Sequence, residues 1–448
     1  MSRRLSLPRL ALVVLATAAL GATAAAVYAR SSDVSPATLP GWYAPYVDAT
    51  NTPEVQFQDP GQNPSNAVVL GFVVASATGA CTPTWGTYYT LAGAARALDL
   101  DRRIARLRQR GGGVLVSFGG VANDDLAERC DVAGLTDAYR RVVDRYRLTA
   151  IDLDVEGAAL ADTAGGERRA KALAAFQRLR PNVAIWLTVP VAPDGLPDAA
   201  LVAVRQILRA KVKVAGVNAM TMDYGDPAAS DLVASSERAL QATAAQLTAL
   251  YARLRQHLTP AVWHRIGMTV MIGQNDTPDE VLSLDDAQRL VRFARERGVG
   301  RVSMWSLNRD QQCGAQVGSA TVSTVCSGVA QAPLAFSQIF DQLQQPLQPP
   351  LRTAGGGVSS SPRDDPATSP DPIWHAKTIY RVGDKVTWHH SVFQAKWYTQ
   401  GDLPDAPVEH EWDSPWLLLG PVLPGDRPLP KKAKPRVATA ASGAPASP

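Results

Sequence analysis

Three carboxylates alternate with aliphatic residues in one short stretch of the chain, residues 150–157. They are Asp152, Asp154 and Glu156, and no Lys, Thr or Ser stands between them. In a β-strand alternate side chains share one face, so all three carboxylates would point the same way. Because like charges repel, such a row should share a proton or raise the pKa of one member, which suits general-acid catalysis. A solvated strand face and a carboxylate site for a hard metal ion are the alternatives.

Eight apolar runs, rich in Val, Ile and Leu, predict β-strands that are buried on both faces. They lie at residues 41–48, 67–75, 114–120, 150–156, 184–191, 214–224, 265–274 and 301–307. Helical patterns lie at residues 90–110, 135–146, 167–180, 199–210, 235–257, 284–298 and 333–347. This alternation predicts an α/β protein with a (β/α)8 TIM barrel. The first connection, residues 50–66, is rich in Gly, Pro, Asn and Gln and predicts a loop.

Polar and aromatic residues collect at the carboxyl-terminal ends of these runs. They are Asp48, Ser117 with Gly119 and Gly120, Glu156, Asp223 with Tyr224, Gln274 with Asn275 and Asp276, and Trp305. Active sites of (β/α)8 barrels lie at that end of the strands. The distribution therefore predicts an enzyme-like site.

Carboxylates beside a Trp suit the hydrolysis of a glycosidic bond. The usual scheme needs two carboxyl groups, one as acid and one as base or nucleophile. In the substrate-assisted variant the 2-acetamido group of the sugar is the nucleophile, so the protein needs one acid and one group that orients the acetamido. Glu156 is the candidate acid and Asp154 the candidate orienting group, while Asp152 would tune the charge of Asp154 from behind.

Four motifs resemble those of family 18 glycoside hydrolases of the bacterial or archaeal chitinase type. Residues 117–120, Ser-Phe-Gly-Gly, resemble S-x-G-G, and residues 152–156 resemble the end of D-x-x-D-x-D-x-E. Residues 220–223, Met-Thr-Met-Asp, resemble M-x-Y-D, and Trp305 resembles the Trp of the eighth strand. The resemblance spans residues 41–344 and implies the (β/α)8 fold and chitinase activity.

The resemblance implies roles for individual residues. Glu156 would be the general acid/base and Asp154 the partner of the acetamido group. Asp223 would bind the reacting sugar, and Trp305 would form the floor of the subsite where the bond is cut. The candidate substrate-binding set is completed by Ser117, Met220, Gln274 and Asn275. The two amides could bind sugar hydroxyls or shape a loop, and no metal or organic cofactor is implied.

Two residues depart from the family pattern. Thr149 occupies the place of the first Asp of the long motif, which would weaken the charge relay behind Asp154. Met222 occupies the place of a Tyr whose hydroxyl would help to hold the acetamido oxygen. Tyr224 would share a strand face with Met222, which makes it the candidate to replace that Tyr in catalysis. Both departures are expected to affect rate and substrate fit more than the fold.

The composition changes after the barrel domain, which is assigned to residues 31–345. Residues 346–372 are rich in Pro, Gly, Ser and Thr and predict a flexible linker, and residues 421–448 predict a disordered tail. Between them, residues 373–420 hold five Trp and no Cys. The run 395–404, AKWYTQGDLP, is similar to small chitin- and cellulose-binding modules of families 5 and 12.

A small all-β carbohydrate-binding module is therefore expected at this end of the chain. Its five Trp exceed what so short a segment can bury, so some aromatic side chains should face outward and stack on sugar rings. The candidates for stacking are Trp388, Trp397 and Tyr398, while Trp374 and Trp416 are assigned to the core.

The N-terminus combines basic residues with an apolar run at residues 10–27, which predicts a secretory signal within residues 1–30. An uncleaved membrane anchor is the alternative. The even number of cysteines in an exported chain predicts disulfides. Three pairings are possible, and the simplest joins Cys81 to Cys130 and Cys313 to Cys326.

The formal charge of +4 is small for 448 residues and gives no case for nucleic-acid binding. The main hypothesis is a secreted, monomeric chitinase that hydrolyses β-1,4-linked N-acetylglucosamine polymers with retention of configuration. Two alternatives remain. One is a non-catalytic chitin- or carbohydrate-binding protein on the same barrel, and the other is a hydrolase of a different glycan that contains N-acetylglucosamine.

Overall fold

The structure is a computed structural model that describes residues 42–225, 231–258, 261–315, 322–343 and 363–428. Contacts divide the chain into two compact units, Met1–Gly355 and Gly356–Pro448. The predicted secretory signal lies outside the described residues, as do residues 346–362 of the predicted linker and residues 429–448 of the predicted tail.

The strands of the first unit carry the predicted alternation with helices. They are β1 (Trp42–Tyr43), β2 (Tyr46–Asp48), β3 (Ala67–Ala75), β4 (Pro83–Trp85), β5 (Tyr89–Thr90), β6 (Gly113–Gly119), β7 (Ala150–Asp154), β8 (Ala184–Pro190), β9 (Gly216–Met220), β10 (Ile266–Met271), β11 (Gly273–Gln274), β12 (Val281–Leu282) and β13 (Arg301–Trp305). All eight predicted strands are present, within a few residues of their expected bounds.

A mostly parallel sheet forms the centre of this unit. Its neighbours run in the order β3, β6, β7, β8, β9, β10 and β13, each paired in parallel with the next. The first barrel strand is split, because β1 pairs with β13 while β2, three residues further on, pairs with β3. The split strand thus joins the two ends of the sheet. The fold is α/β with a mostly parallel sheet, consistent with the predicted (β/α)8 barrel, and it is called the barrel below.

The helices follow the strands. They are α1 (Leu91–Ala97), α2 (Leu100–Gln109), α3 (Leu126–Arg129), α4 (Val132–Tyr146), α5 (Gly157–Ala161), α6 (Thr163–Leu179), α7 (Asp198–Arg209), α8 (Leu232–Arg253), α9 (Leu284–Arg297) and α10 (Ala335–Asp341). The single helix predicted for residues 90–110 is wrong, because Asp99 has a left-handed backbone (φ 47°) that separates α1 from α2. The hairpin of β4 and β5, which extends the sheet antiparallel to β3, was also missed.

Apolar side chains fill both faces of the sheet. Between sheet and helices, β-branched and Leu side chains are almost wholly buried, and each such residue contributes about 1.5–3 kcal/mol. Inside the ring a second cluster contains Trp42, Tyr46, Leu115 and Trp186. The strands are therefore rigid supports for whatever side chains project from their carboxyl-terminal ends.

The second unit contains a three-stranded antiparallel sheet. Its strands are β14 (Lys385–Trp388), β15 (Ser391–Ala395) and β16 (Trp416–Pro421), in the order β14, β15, β16. Its core consists of Tyr380, Val386, Phe393, Ala395 and Trp416, with Trp374 and Trp388 packed partly buried against it. The sheet agrees with a small β module, as expected from the sequence.

Both disulfides follow the simplest of the three possible pairings. Cys81 is joined to Cys130, and Cys313 to Cys326. The first bond links the segment before β4 to the end of α3, so it fastens the unpredicted hairpin to the helical layer. In the described ranges no helix is both long and apolar enough to cross a membrane.

Candidate active site

The three carboxylates of residues 150–157 lie on β7 and just beyond it. Asp152 and Asp154 belong to the strand, and Glu156 keeps an extended backbone (φ −142°, ψ 178°) before α5 begins. Because the backbone stays extended, the alternation of faces continues to Glu156. The structure thus agrees with the expectation that the three side chains share a face at the carboxyl-terminal end of the barrel.

Asp152 is the innermost of the three and is completely buried. Its Oδ2 accepts hydrogen bonds from the hydroxyls of Tyr46 and Ser117, each at 2.8 Å. Its Oδ1 accepts one from Thr188 Oγ1 at 2.7 Å and one from Arg301 Nη1 at 2.5 Å. These four donors satisfy both oxygens of the Asp152 carboxyl group in the barrel interior. They also place Ser117 behind the carboxylates, away from the mouth of the barrel.

Arg301 compensates the buried charge of Asp152. Both side chains are fully inaccessible to solvent, and an isolated charge in that position would be very costly. The guanidinium lies 5.5 Å from the ring centres of Trp42, Tyr46 and Trp186, which adds cation–π attraction. The ion pair and its aromatic surround therefore form a rigid floor beneath Asp154.

Asp154 lies two residues after Asp152 on β7, on the same face of the strand and nearer the mouth of the barrel. It is only 5% exposed, and its Oδ1 has no hydrogen-bond partner among the described residues. Burial raises the pKa of Asp154 well above its ordinary range, and the nearby carboxylates of Glu156 and Asp152 raise it further. A buried acceptor without a donor is costly in a finished fold, so this oxygen is suited to receive a donor from a ligand.

Glu156 is the outermost carboxylate and is partly accessible to solvent. Burial raises its pKa to about 7; the charge of Asp223 raises the pKa further, the Val121 backbone N–H lowers it, and the charge of Asp276 raises it. A carboxyl group with this pKa is substantially protonated at neutral pH. Glu156 can therefore donate a proton under conditions in which an ordinary Glu would be ionised.

Gly119, the last residue of β6, and Gly120 after it leave room for the backbone of Asp154 and the ring of Phe72. Gly119 has a left-handed backbone (φ 103°), and a Cβ there would lie 2.1 Å from the carbonyl oxygen of Asp154. A Cβ at Gly120 would lie 3.2 Å from the ring of Phe72. Larger residues would push the chain off β7 or the Phe72 ring, which explains both glycines of the Ser-Phe-Gly-Gly motif.

Asp223 follows β9 and faces the same end of the barrel as Glu156. Its backbone is left-handed (φ 51°), and its Oδ1 accepts the N–H of Thr277 at 3.0 Å. Burial raises the pKa of Asp223, the Thr277 bond lowers it, and the carboxylates of Asp276 and Glu280 raise it. The side chain lies close enough to Glu156 to affect the proton affinity of that group.

An aromatic surface lies beside the carboxylates. Trp305, at the end of β13, is partly exposed, with ring centres 5.6 Å from Phe72 and 6.2 Å from Tyr46. Arg301 and Trp305 share one face of β13, so the Trp stands above the Asp152 floor. Met220 lies partly exposed at the end of β9, on the same strand face as Asn218, whose amide bonds to Thr188 inside the ring. Trp305 and Met220 therefore border the mouth of the barrel.

The structure does not support the expected role of Tyr224. Its hydroxyl donates to Ser236 Oγ of α8 at 3.2 Å, in the layer between sheet and helices. The left-handed backbone of Asp223 interrupts the strand before Tyr224, so Met222 and Tyr224 do not have the alternation assumed from the sequence. The Tyr224 hydroxyl is therefore committed elsewhere and does not take the place of the Tyr that Met222 replaces.

Of the two roles open for Gln274 and Asn275, the geometry favours the shaping of a loop. The amide nitrogen of Gln274, which carries two hydrogens, lies within hydrogen-bonding distance of four backbone carbonyls between residues 275 and 280. That of Asn275 donates to the carbonyls of Met271 and Gly273. Both side chains are buried, so neither amide nitrogen is available to a sugar hydroxyl.

The departure at Thr149 does not reach the charge relay. Thr149 is exposed and stands before β7, at the opposite end of the strand from the mouth. Ala150 packs inside the ring, so Thr149 faces the other side of the sheet. The geometry gives no support to the expected weakening of the relay, because Asp152 has four donors from other strands.

Exposed aromatics occur in the second unit. Trp397 is 43% and Tyr398 61% exposed, in agreement with their selection as stacking candidates. Trp388 is partly buried against the core and donates from Nε1 to Asp405 at 2.8 Å, so it is a weaker candidate. Trp412, which the sequence analysis left without a role, is 68% exposed and stacks on His410.

Several residues of the site were missed by sequence reasoning. Tyr46, Thr188, Arg301 and Phe72 come from four different strands and meet only through the closure of the barrel. The sequence carried one signal for Arg301, a lone charged residue at the start of an otherwise apolar run. Within the described residues no group of three or more His, Cys, Asp or Glu is arranged to hold a metal ion.

Comparison with known proteins identifies relatives of the barrel. No model of a known protein family matches the sequence. Over 316 residues the chain is 34% identical to a probable bifunctional chitinase/lysozyme of Escherichia coli strain K12, covering 66% of this chain and 34% of that protein. Over 280 residues it is 33% identical to endochitinase 11 of Metarhizium anisopliae, covering 60% of this chain and 52% of that protein. The chain thus spans about a third of one relative and half of the other.

Solved structures give the same class. The catalytic domain of a hyperthermophilic chitinase from Pyrococcus furiosus matches with a TM-score of 0.59 and 27% identity, covering 68% of this chain and 95% of that one. The names of all three proteins include chitinase activity, so the barrel is similar to proteins of this class of glycoside hydrolase. These names agree with the chitinase activity that the sequence motifs indicated.

Proposed function

We propose that this chain is a chitinase that hydrolyses β-1,4-linked N-acetylglucosamine polymers with retention of configuration. The observation that carries the proposal is the arrangement of the β7 carboxylates. Asp152 is held in an ion pair, Asp154 has a buried oxygen without a partner, and Glu156 has a pKa near neutrality. The chitinase relatives support the same substrate class.

This arrangement fits a substrate-assisted mechanism. Glu156 donates its proton to the glycosidic oxygen as the bond to the leaving sugar breaks. Asp154 accepts the N–H of the 2-acetamido group, which orients the acetamido oxygen toward the anomeric carbon on the opposite face. That oxygen forms a bond to the anomeric carbon, and a cyclic intermediate results. Water then attacks the same carbon, gives its proton to Glu156, and restores the acetamido group.

The surrounding residues would support the transition state. Burial and the charges of Glu156 and Asp152 raise the pKa of Asp154, and in the complex the acetamido N–H donates to its Oδ1, which has no partner among the described residues. Trp305 offers an apolar surface for the face of the reacting sugar, and Asp223 a hydrogen-bond acceptor beside it. The Tyr224 hydroxyl does not replace the family hydroxyl missing at Met222, so we expect a lower rate than the full motif would allow.

Hydrolysis of a soluble chitin tetramer tests the proposal. The wild-type chain should release shorter oligomers, and Glu156→Gln, which keeps the shape but cannot donate a proton, should lower kcat by about 10³-fold or more. Tetramer binding measured by calorimetry should survive the substitution. If the wild type binds the tetramer and does not cleave it, the protein is a carbohydrate-binding barrel. If it cleaves only other N-acetylglucosamine glycans, the substrate assignment is wrong.

The remaining parts of the chain extend this proposal. The second unit would act as a chitin-binding module of the family 5 or 12 kind, with Trp397 and Tyr398 stacked on sugar rings, and would keep the barrel near insoluble chitin. The apolar run at residues 10–27 would direct export, so that the enzyme meets its polymer outside the cell. Measurement of the mature N-terminus after secretion tests the export step.

A further inference from the structure

Two loops at the mouth of the barrel are tied together by one carboxylate that has no role in the proposed chemistry. Glu280, in the loop after the seventh barrel strand, is only 3% exposed. Its Oε2 accepts the backbone N–H of Tyr224 at 3.0 Å, and its Oε1 accepts that of Gly225 at 2.8 Å. Both donors directly follow Asp223, so Glu280 grips the turn that carries the candidate sugar ligand.

A second bond crosses the same two loops in the opposite direction. The N–H of Thr277 donates to Asp223 Oδ1 at 3.0 Å. The Glu280 loop is itself rigid, because Asn275 N–H donates to the Glu280 carbonyl at 2.9 Å and the Gln274 amide spans the loop. The turn after the sixth strand therefore has its backbone and its Asp223 side chain fixed from the neighbouring loop.

Burial of the Glu280 carboxyl group costs solvation free energy, although the group accepts only the two backbone hydrogen bonds described above. No Lys, Arg or His forms an ion pair with it in the part of the chain that the structure describes, so its buried charge is stabilised by backbone dipoles. It also stands near Asp223, which has a left-handed backbone that few non-glycine residues adopt. A buried carboxyl group without an ion-pair partner among the described residues, beside an unusual backbone conformation, is typical of functional sites.

We infer that Glu280 is a positioning residue, which holds the turn of residues 223–225 so that the Asp223 carboxylate stays beside Glu156. The inference rests on the proposed function, because Asp223 and Glu156 act together only if the barrel cleaves a glycosidic bond. Glu280 touches no reacting atom, and its effect passes through Asp223. The charged groups that face Asp223 are Glu156, Asp276, Glu280 and Arg309.

The direction of a pH shift distinguishes positioning from a simple charge effect. The charge of Asp223 raises the pKa of Glu156, so the alkaline limb of the kcat/KM profile should lie near pH 7. If Glu280 holds Asp223 in place, its removal lets Asp223 move away and the limb moves to lower pH. If Glu280 acts only by its charge, its removal makes Asp223 ionise more readily, and the limb stays or moves to higher pH.

Two variants test the inference on the full chain with the soluble tetramer. Glu280→Gln removes the charge and one of the two acceptors, and Glu280→Asp keeps the charge but is too short to reach both N–H groups. Both should lower kcat by about 10- to 100-fold and shift the alkaline limb down by roughly half a pH unit, with KM changed less than about threefold. A wild-type profile in Glu280→Asp would overturn the inference.

A double-mutant cycle gives a second criterion. Asp223→Asn removes the group through which Glu280 acts, so adding Glu280→Gln should lower kcat by less than about twofold more. Multiplication of the two losses would refute a role through Asp223. The matched control is Asp310→Asn, because Asp310 is also a buried carboxylate that accepts backbone N–H groups, those of Phe336 and Ser337. It should lower stability and leave the pH profile unchanged.

One readout does not depend on hydrolysis. The stability difference between the wild type and Glu156→Gln changes with pH around the pKa of Glu156, and unfolding measurements locate that midpoint without substrate. In a Glu280→Gln background the midpoint should move to lower pH. An inactive wild type would refute the proposed function alone, whereas an unmoved midpoint would refute the positioning role of Glu280.

Discussion

The substitution Glu156→Gln should make the protein more stable at neutral and alkaline pH while it removes activity. In the folded chain burial raises the pKa of Glu156 from an ordinary value of 4.5 to about 7. At about 1.4 kcal/mol per pKa unit this corresponds to at most about 3.5 kcal/mol of unfolding free energy. Because the side chain is partly exposed to solvent, the expected stability difference is about 2–3 kcal/mol.

The sign follows from proton binding in the two states. Between pH 4.5 and pH 7 the folded state holds the Glu156 proton more tightly than the unfolded state, so stability falls as pH rises through this window. A Gln cannot ionise and does not take part in this loss. Glu156→Gln should therefore match the wild type at pH 4 and exceed it by about 2–3 kcal/mol at pH 8.

Chemical unfolding of the full chain at pH 4, 6 and 8, followed by tryptophan fluorescence, measures the effect. The barrel and the second unit are compact separately, so their transitions must be fitted separately. Glu167→Gln is the matched control, because Glu167 is exposed on α6, and it should change stability by less than about 0.5 kcal/mol. Equal stability of Glu156→Gln and wild type at pH 8, or a gain that persists at pH 4, would refute the reasoning.

Three further substitutions test the ion pair of Asp152, the hydroxyl of Tyr224 and the binding of chitin by the second unit. Arg301→Met leaves the buried Asp152 without its ion-pair partner and should lower the unfolding free energy by about 3–5 kcal/mol in denaturant titrations. Stability near that of the wild type would contradict the ion-pair argument. Tyr224→Phe loses only the hydrogen bond from the hydroxyl to Ser236, so it should lower the unfolding free energy by about 1 kcal/mol. Its kcat and KM on the tetramer should stay within about twofold of the wild type. A large loss of kcat would show that Tyr224 is a catalytic residue. Trp397→Ala should weaken binding to insoluble chitin in pull-down assays by about tenfold and leave tetramer hydrolysis unchanged. Equal losses on both substrates would contradict the anchoring role of the second unit.

The carboxylate row could be predicted because it depends only on local geometry. Asp152, Asp154 and Glu156 are two residues apart in an apolar run, and a strand of either direction puts them on one face. The order of strands and helices was equally accessible, since each element buries an apolar face whose period is visible in the sequence. The same reasoning failed at Asp99, where one left-handed residue divides a helix with otherwise continuous periodicity.

The outcome for Tyr224 shows the limit of strand alternation. The pattern assumed that the strand continued to residue 224, but β9 ends at Met220, and the left-handed backbone at Asp223 redirects the chain. Position 223 is not a glycine, so the sequence does not indicate a left-handed backbone there. Nothing in the sequence indicated a role for Glu280, because its two hydrogen-bond donors lie more than fifty residues away in sequence.

By itself the sequence determined the chemical types of the site, the order of the elements and the end of the barrel at which they meet. These follow from residue identity and from periodicities of two or 3.6 residues, which are local properties. Only the tertiary structure decided which donors stabilise Asp152, why Asp154 has a free oxygen, and which groups raise the pKa of Glu156. Those properties depend on burial and on contacts between distant strands, and both arise when the closing barrel excludes water from its interior.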